Sequence, residues 1–477
     1  MKYDFKTKPY DHQLNIFELS KNRDFYALFM EMGTGKTKVT IDTFCHLFHL
    51  DRVKALLVLA PKGVYLNWKK EMAVHTWDNT PYVIAAYSAS MKARERDHLA
   101  TVMKAEDKTK AHILLVNIES LHTKKGFDVA KMFLTNQETM LCIDESTAIK
   151  NHKSKRTKAC LKLRDLAKYR RILTGTPITQ SPLDLYSQCE FLEKGSTGTP
   201  SFFIFKHTFA DCMQMNLGNR SFEKIVGFKN LDSLTNQIAP FSSRILKEEC
   251  LDLPEKIYTT RHVHLTSDQQ RLYETLKDES LLLLEQGILT SNNALTTLLK
   301  LQQILCGHLR MDDGTVIDID CNKKDAIIDI TQQISETSKV IIWCNFQRDI
   351  QILKELFKER AVTYYGLNSN EEREHAINAF ENDPSVQFFI GTPQCGGKGL
   401  TLNKANYVIY YSNSFKLEDR LQSEDRCHRI GQDKNITYID LLIPNTIDEK
   451  ILKNLKDKQD LADKVLSDVN TFRELIL

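Results

Sequence analysis

Nowhere in its 477 residues does the chain hold an apolar run near the roughly 18 that a membrane-spanning helix needs, so no membrane association is expected. The opening MKYDFKTKPY has no apolar core, and a secretory leader is not expected either. The eleven cysteines form no CxxC pair and no Cys/His cluster at zinc-ligand spacing, which points to a reducing, cytoplasmic compartment without structural zinc. Excess charge is missing too. With 65 Lys and Arg against 62 Asp and Glu the formal charge is +3, so any affinity for nucleic acid has to come from local patches. Internal repeats and low-complexity tracts do not stand out, and at this length two principal domains are expected instead of one core.

What is present begins with short β-branched runs bounded by turn residues: LLVLA at 56–60, ILLVNI at 113–118, MLCID at 140–144 and RILTG at 171–175. Segments of helical spacing separate them, the alternation of a parallel sheet with crossover helices. The alternation restarts with VIIWC at 340–344, VQFFIG at 386–391, YVIYY at 407–411 and ITYIDLL at 436–442, so two α/β domains in series are predicted. Residues 196–322 hold few strand-like runs and read as helical insertions around a connection near Leu251 to Lys256. In the tail, Ile447, Ile451 and Leu455 fall four apart, as on an amphipathic helix that packs back onto the body.

Residues 30–37, MEMGTGKT, sit where the strand-like FYALF passes into helical text. A phosphate-binding loop needs that context: glycines let backbone N–H groups approach the anion, a helix N-terminus favours it, Lys36 reaches the terminal phosphates and Thr37 holds magnesium. The usual pattern has a glycine where this chain has Met30, so a plain Gly-rich turn stays open on these residues alone. LCIDES supplies a second element, with Asp144 to bind magnesium through water and Glu145 to orient an attacking water. Thr174-Gly175-Thr176-Pro177 follows a strand, and small hydroxyl residues there suit a sensor of hydrolysis as well as a simple turn. In the second domain, Arg426 and Arg429 are three apart in RLQSEDRCHRIGQ, which predicts one helical face able to reach a phosphate bound by the other domain; a solvated face is the alternative. From Ser146 to Arg171 ten Lys/Arg stand against one acid, Asp165, a pattern that a solvated helix face explains as well as a nucleic-acid contact does.

In order along the chain, EMGTGKT, LAPKGVYLNWKKE, IDESTAIKN, LTGTPITQSPLDLYSQ, GTPQCGGKGLTL and QSEDRCHRIGQ resemble the motifs of superfamily 2 helicases, specifically the Swi/Snf-type branch. Features similar to that branch are Asn67-Trp68 with Glu71, Lys150-Asn151, PFSSRILKEECLDLP, LQQILCGHL and His428 to Gln432; the branch normally lacks the early glycine. The resemblance implies an α/β fold of two tandem RecA-like P-loop lobes with parallel sheets and helical protrusions from both. Its parts would be lobe 1 at 1–195, its protrusion at 196–250, a linker and second protrusion at 251–322, lobe 2 at 323–445 and a bracing helix at 446–477.

It further implies ATP and Mg2+, with Gln13 reading adenine, Gly33, Thr34, Gly35, Lys36 and Thr37 on phosphates and Asp144 and Glu145 managing metal and water. Gly399 would approach the ribose, Arg426 and Arg429 would act as fingers, and Lys150, Asn151, Lys153, Lys155 and Arg156 would meet DNA. Trp68 is expected to pack and not to stack on bases. Ser146-Thr147 departs from the small residue and histidine usual there, which opens the link between the acidic box and Thr174–Pro177. The implied activity is a DNA-dependent ATPase and helicase, a monomeric translocase on duplex DNA, compact like phage or bacterial members and acting on branched or forked DNA in replication, recombination or repair. A strand-separating helicase on single-stranded DNA or RNA and a non-catalytic nucleic-acid scaffold are the alternatives.

Overall fold

Strands that are apolar at every position, and not at every second one, are covered on both faces. LLVLA is of that kind, and in the computed structural model, which describes residues 3–457 apart from 62–63, 89–90, 180, 218–219, 251–252, 287–290, 397–399, 401 and 430, each of its residues is buried. The chain divides into two compact units, residues 1–251 and 252–477.

The first unit is built on β1 (Phe25–Met30), β2 (Ala55–Ala60), β3 (Tyr82–Tyr87), β4 (Ala111–Asn117), β5 (Thr139–Asp144) and β6 (Tyr169–Leu173), followed by β7 (Ala210–Leu217), β8 (Arg220–Phe228) and β9 (Ser242–Ile245). Seven of these form one sheet in the order β3-β4-β2-β5-β6-β1-β9, and every pairing in it is parallel. Parallel pairing brings all seven carboxyl ends to one edge, and the loops leaving that edge carry the motifs. Alternate residues of β2 enter opposite cores: Ala55, Leu57 and Leu59 face one side, Leu56, Val58 and Ala60 the other.

The second unit repeats the plan with β10 (Lys256–His262), β11 (His308–Arg310), β12 (Val316–Asp318), β13 (Lys339–Trp343), β14 (Ala361–Tyr364), β15 (Phe388–Gly391), β16 (Ala405–Tyr410) and β17 (Ile436–Leu442). Its main sheet runs β10-β17-β16-β13-β15-β14, again wholly parallel, while β11 and β12 form a separate hairpin. The tail helix Ile447–Lys456 buries Ile447, Ile451 and Leu455, and Asp448 on it takes the buried Lys323 ammonium at 2.7 Å. Among the described residues no helix is long and apolar enough to cross a membrane.

The segment 196–322 holds the helices its text predicts, Ser267–Glu285 and Ser291–Leu305, but it also holds strands. Between the helices Phe202–Phe209 and Leu231–Ile238 lies the antiparallel hairpin β7-β8, and β9 belongs to the main sheet beside β1. Met-Gln-Met-Asn-Leu within β7 alternates with period two, the strand signature, but β9 has only four residues and no pattern of its own. Lys256–His262, in the stretch expected to hold a linker and a helical protrusion, is an edge strand paired with β17 along its whole length. It is mostly solvent-exposed, which is why its sequence carries no apolar run.

Part of the basic run is also structural. Arg171, 1% exposed, donates to the carbonyls of Ser20, Arg23, Asp24 and Arg170, and so closes the turn after the helix Asp11–Ser20. Burial draws its pKa down to about 10, which leaves it charged at neutral pH. Replacing Arg171 by Met keeps much of the volume and strands those carbonyls. The expected loss is about 2–4 kcal/mol of stability in urea denaturation, and an unshifted midpoint would contradict the assignment.

Candidate nucleotide site

β1 ends at Met30, whose side chain lies in the core and whose backbone pairs with Ile245 of β9. An extended strand residue needs no glycine, so the phosphate-loop pattern lacks one here at no conformational cost. The turn that follows does need glycine: Gly33 has φ +85° and Gly35 has φ +96°. A Cβ on Gly35 would also lie 2.2 Å from Nε2 of Gln13, which donates to the Thr34 carbonyl at 3.1 Å. Nε2 of His12 contacts the same carbonyl at 2.8 Å. Gln13, predicted to read adenine, is thus packed under the loop, with Oε1 accepting from the Tyr10 N–H at 3.1 Å.

Gly35 caps the helix Lys36–His49, which aims its N-terminus out of the loop. Lys36 is 8% exposed and donates to the carbonyls of Met30 at 2.9 Å and Glu31 at 3.3 Å, a position from which a flexible ammonium can turn to phosphate. Thr34 is fully buried, and Thr37 is half-buried in the first helical turn.

Asp144 ends β5 at 5% exposure. Its Oδ2 accepts from the Trp68 Nε1–H at 2.8 Å and its Oδ1 from the Glu145 N–H at 3.0 Å. Burial pushes its carboxyl above the usual range, while the Trp68 bond and the Lys36 charge pull the other way. Glu145 holds φ +55°, a left-handed conformation that a non-glycine residue adopts at a cost. A buried carboxylate and a hydroxyl, both oxygen donors near a phosphate loop, fit Mg2+ at Asp144 and Thr37. Sequence alone assigns Trp68 to packing. The ring is fully buried, and a buried indole N–H needs a partner, which is the signal for its second role.

The Thr174–Pro177 loop leaves β6 alongside. The Arg244 guanidinium in β9 donates to the Gly175 carbonyl at 2.8 Å, and the Lys247 N–H donates to Glu31 Oε2 at 2.8 Å. The RILK stretch therefore ties both loops to the sheet edge, a role no local pattern announces. Lys150, predicted to meet DNA, donates to Thr179 Oγ1 at 2.6 Å, beside Asp184, which accepts from the same threonine. Asn151, Lys153, Lys155 and Lys158 are exposed and Arg156 half-buried, around the start of the helix Lys155–Arg164. Arg164 faces inward to the Glu190 carbonyl.

In the second unit the helix Leu417–Glu424 ends before Arg426 and Arg429, so the predicted common helical face is not formed. Arg426 is 2% exposed and donates to the carbonyls of Gln422 and Leu400; Arg429 is half-buried and donates to Leu400 as well. Arg420, the first residue of RLQSEDRCHRIGQ and given no role from the sequence, lies 3.6 Å over the Tyr410 ring and is paired with Glu424 and Asp440. Gly399 falls outside the described residues. Gly396 packs so near Trp343 that a Cβ would lie 2.4 Å from its ring, so the glycine richness there serves packing too. Among the described residues His207, Cys212 and Glu223 bring ligand atoms within 4.8 Å of one another, with Glu223 already paired to Lys206.

Comparison with known proteins gives a match to the SNF2-related domain over residues 19–310 and to the helicase conserved C-terminal domain over 322–431. An uncharacterized ATP-dependent helicase of Mycoplasma pneumoniae is 30% identical across 96% of this chain and 42% of its own length. The TATA-binding protein-associated factor MOT1 of Saccharomyces cerevisiae is 29% identical across 92% of this chain and 26% of its own. The chain thus spans less than half the length of these relatives. A solved SWI2/SNF2 ATPase core of Sulfolobus solfataricus in complex with dsDNA aligns over 98% of this chain and 94% of that one, with 26% identity and a TM-score of 0.43.

The Trp68–Asp144 bond has a measurable consequence. Trp68→Phe keeps an aromatic ring in the core and removes the N–H, so the Mg2+ concentration for half-maximal nucleotide binding should rise roughly tenfold or more. An unchanged Mg2+ requirement would reduce Trp68 to packing.

Proposed function

Because the chain belongs to the SNF2-related helicase family, we propose that it is a DNA-stimulated ATPase that translocates along duplex DNA. The observation that supports this most is that the phosphate loop, the acidic box and the Thr174–Pro177 loop share one sheet edge, while the exposed basic segment Asn151–Lys158 begins two residues after the box closes at Ile149. Nucleotide state and backbone contact are thereby joined through a few residues. The naming of the Mycoplasma pneumoniae relative as an ATP-dependent helicase agrees with this reading.

In the proposed site the Gly33–Gly35 backbone and Lys36 hold phosphates, and Glu145 orients the attacking water. Mg2+ at Thr37 and Asp144 would neutralise phosphate charge. Lys153, Lys155 and Lys158, exposed and unburdened by core packing, are assigned to DNA phosphates; Lys150 is reassigned to positioning the Thr179 turn. Branched or forked duplex is the finer substrate proposed.

Steady-state ATPase rates with duplex, forked, single-stranded and RNA ligands test the reading. Duplex and forked DNA should stimulate most; stimulation by single strands alone would favour strand separation, and none by any ligand would favour a scaffold. Replacing Lys153, Lys155 and Lys158 by Ala should weaken duplex binding regardless of sequence and flatten its log–log salt dependence by about 0.9 for each DNA phosphate no longer neutralised. An unaltered slope would return the segment to a solvated face.

A further inference from the structure

Ser146 and Gln188 are both fully buried, 42 residues apart in the chain, and joined by a hydrogen bond of 2.6 Å between Ser146 Oγ and Gln188 Oε1. Gln188 sits in the helix Leu185–Leu192. Its Nε2 donates to the carbonyls of Pro177 at 2.7 Å and Asp184 at 2.8 Å. Carbonyls only accept, so both amide protons are used and the amide cannot be turned around. Its oxygen must then face Ser146, and the serine hydroxyl must be the donor.

This chain of bonds runs from the residue after Glu145 to the last residue of the Thr174–Pro177 loop. Both ends are constrained. Glu145, directly before Ser146, is held at φ +55°, so the backbone that leads into the serine has little freedom of its own. Pro177 opens the turn whose Thr179 is fixed by Asp184, and Asp184 offers its backbone carbonyl to the same Gln188 amide. A short, buried, fully directional bond transmits displacement better than an exposed one, because no water can replace either partner.

We propose that Ser146 and Gln188 are positioning residues that couple the acidic box to the Thr174–Pro177 loop. The inference rests on the ATPase reading of the site. Both side chains are fully buried, so neither is placed to touch a bound nucleotide. They act by making the loop respond to the state of Glu145.

Two arms on the full chain separate this inference from the reading beneath it. In the first, amide hydrogen exchange of the peptide covering 174–184 is compared with and without a non-hydrolysable ATP analogue. The wild type should gain protection there on binding, and Ser146→Ala should bind the analogue yet lose that response. In the second, the ratio of duplex-stimulated to basal turnover should fall about tenfold in Ser146→Ala and Gln188→Leu, and the double variant should fall no further than either single one. Additive losses, or a lower melting temperature with the ratio and the exchange response intact, would overturn the coupling role. Ser146→Ala removes one oxygen and leaves the Gln188 clamp in place, so it serves if Gln188→Leu fails to fold. A wild type indifferent to duplex would contradict the translocase reading, while the exchange arm still decides the relay.

Discussion

The Asp144 carboxylate is buried at the end of β5, and a charge in that position persists only if its surroundings replace most of its hydration. Three groups do so: the Trp68 N–H, the N–H of Glu145 and the Lys36 ammonium charge. Each requirement fixes a piece of the fold. Trp68 must be held in the core by the LNWKKE helix, Glu145 must turn its backbone to φ +55°, and Lys36 must start its helix at the neighbouring loop. The wholly parallel sheet makes this possible by gathering carboxyl ends along one edge, and the glycines at 33 and 35 let the loop close against Gln13.

Around that centre the loops are joined by long-range bonds. Arg244 reaches Gly175, Lys247 reaches Glu31, Lys150 reaches Thr179 and Gln188 reaches Pro177. The loops that would handle phosphate are therefore not independent hairpins on a scaffold. Such bonds are the kind of contiguous connection through which a binding event at one loop can bias the others.

How much of this is legible in the sequence follows from the range of the interactions. GTGKT, IDES and the apolar strands are local patterns whose physics is complete within a few residues, and the two parallel-sheet units follow from them. The Trp68–Asp144 bond spans 76 positions and the Arg244–Gly175 bond 69, so neither leaves a local trace. β9 and β10 are invisible for a related reason: four residues are too few to show a period, and an exposed edge strand needs no apolar alternation. The basic run is legible as charge but not as two populations, because whether an arginine turns inward to carbonyls, as Arg164 and Arg171 do, or a lysine outward, as Lys153 does, is decided by tertiary neighbours.

At the centre of the proposed function, the loop from Glu31 to Thr37 is assigned to the terminal phosphates of a magnesium nucleotide. Calorimetric titration of a non-hydrolysable ATP analogue with Mg2+ into wild type and Lys36→Ala tests it directly. The charge-assisted contact from Lys36 should be worth about 1.5–3 kcal/mol, or roughly a tenfold to hundredfold loss of affinity in the variant. Equal affinity in the two proteins, with both folded, would contradict the assignment.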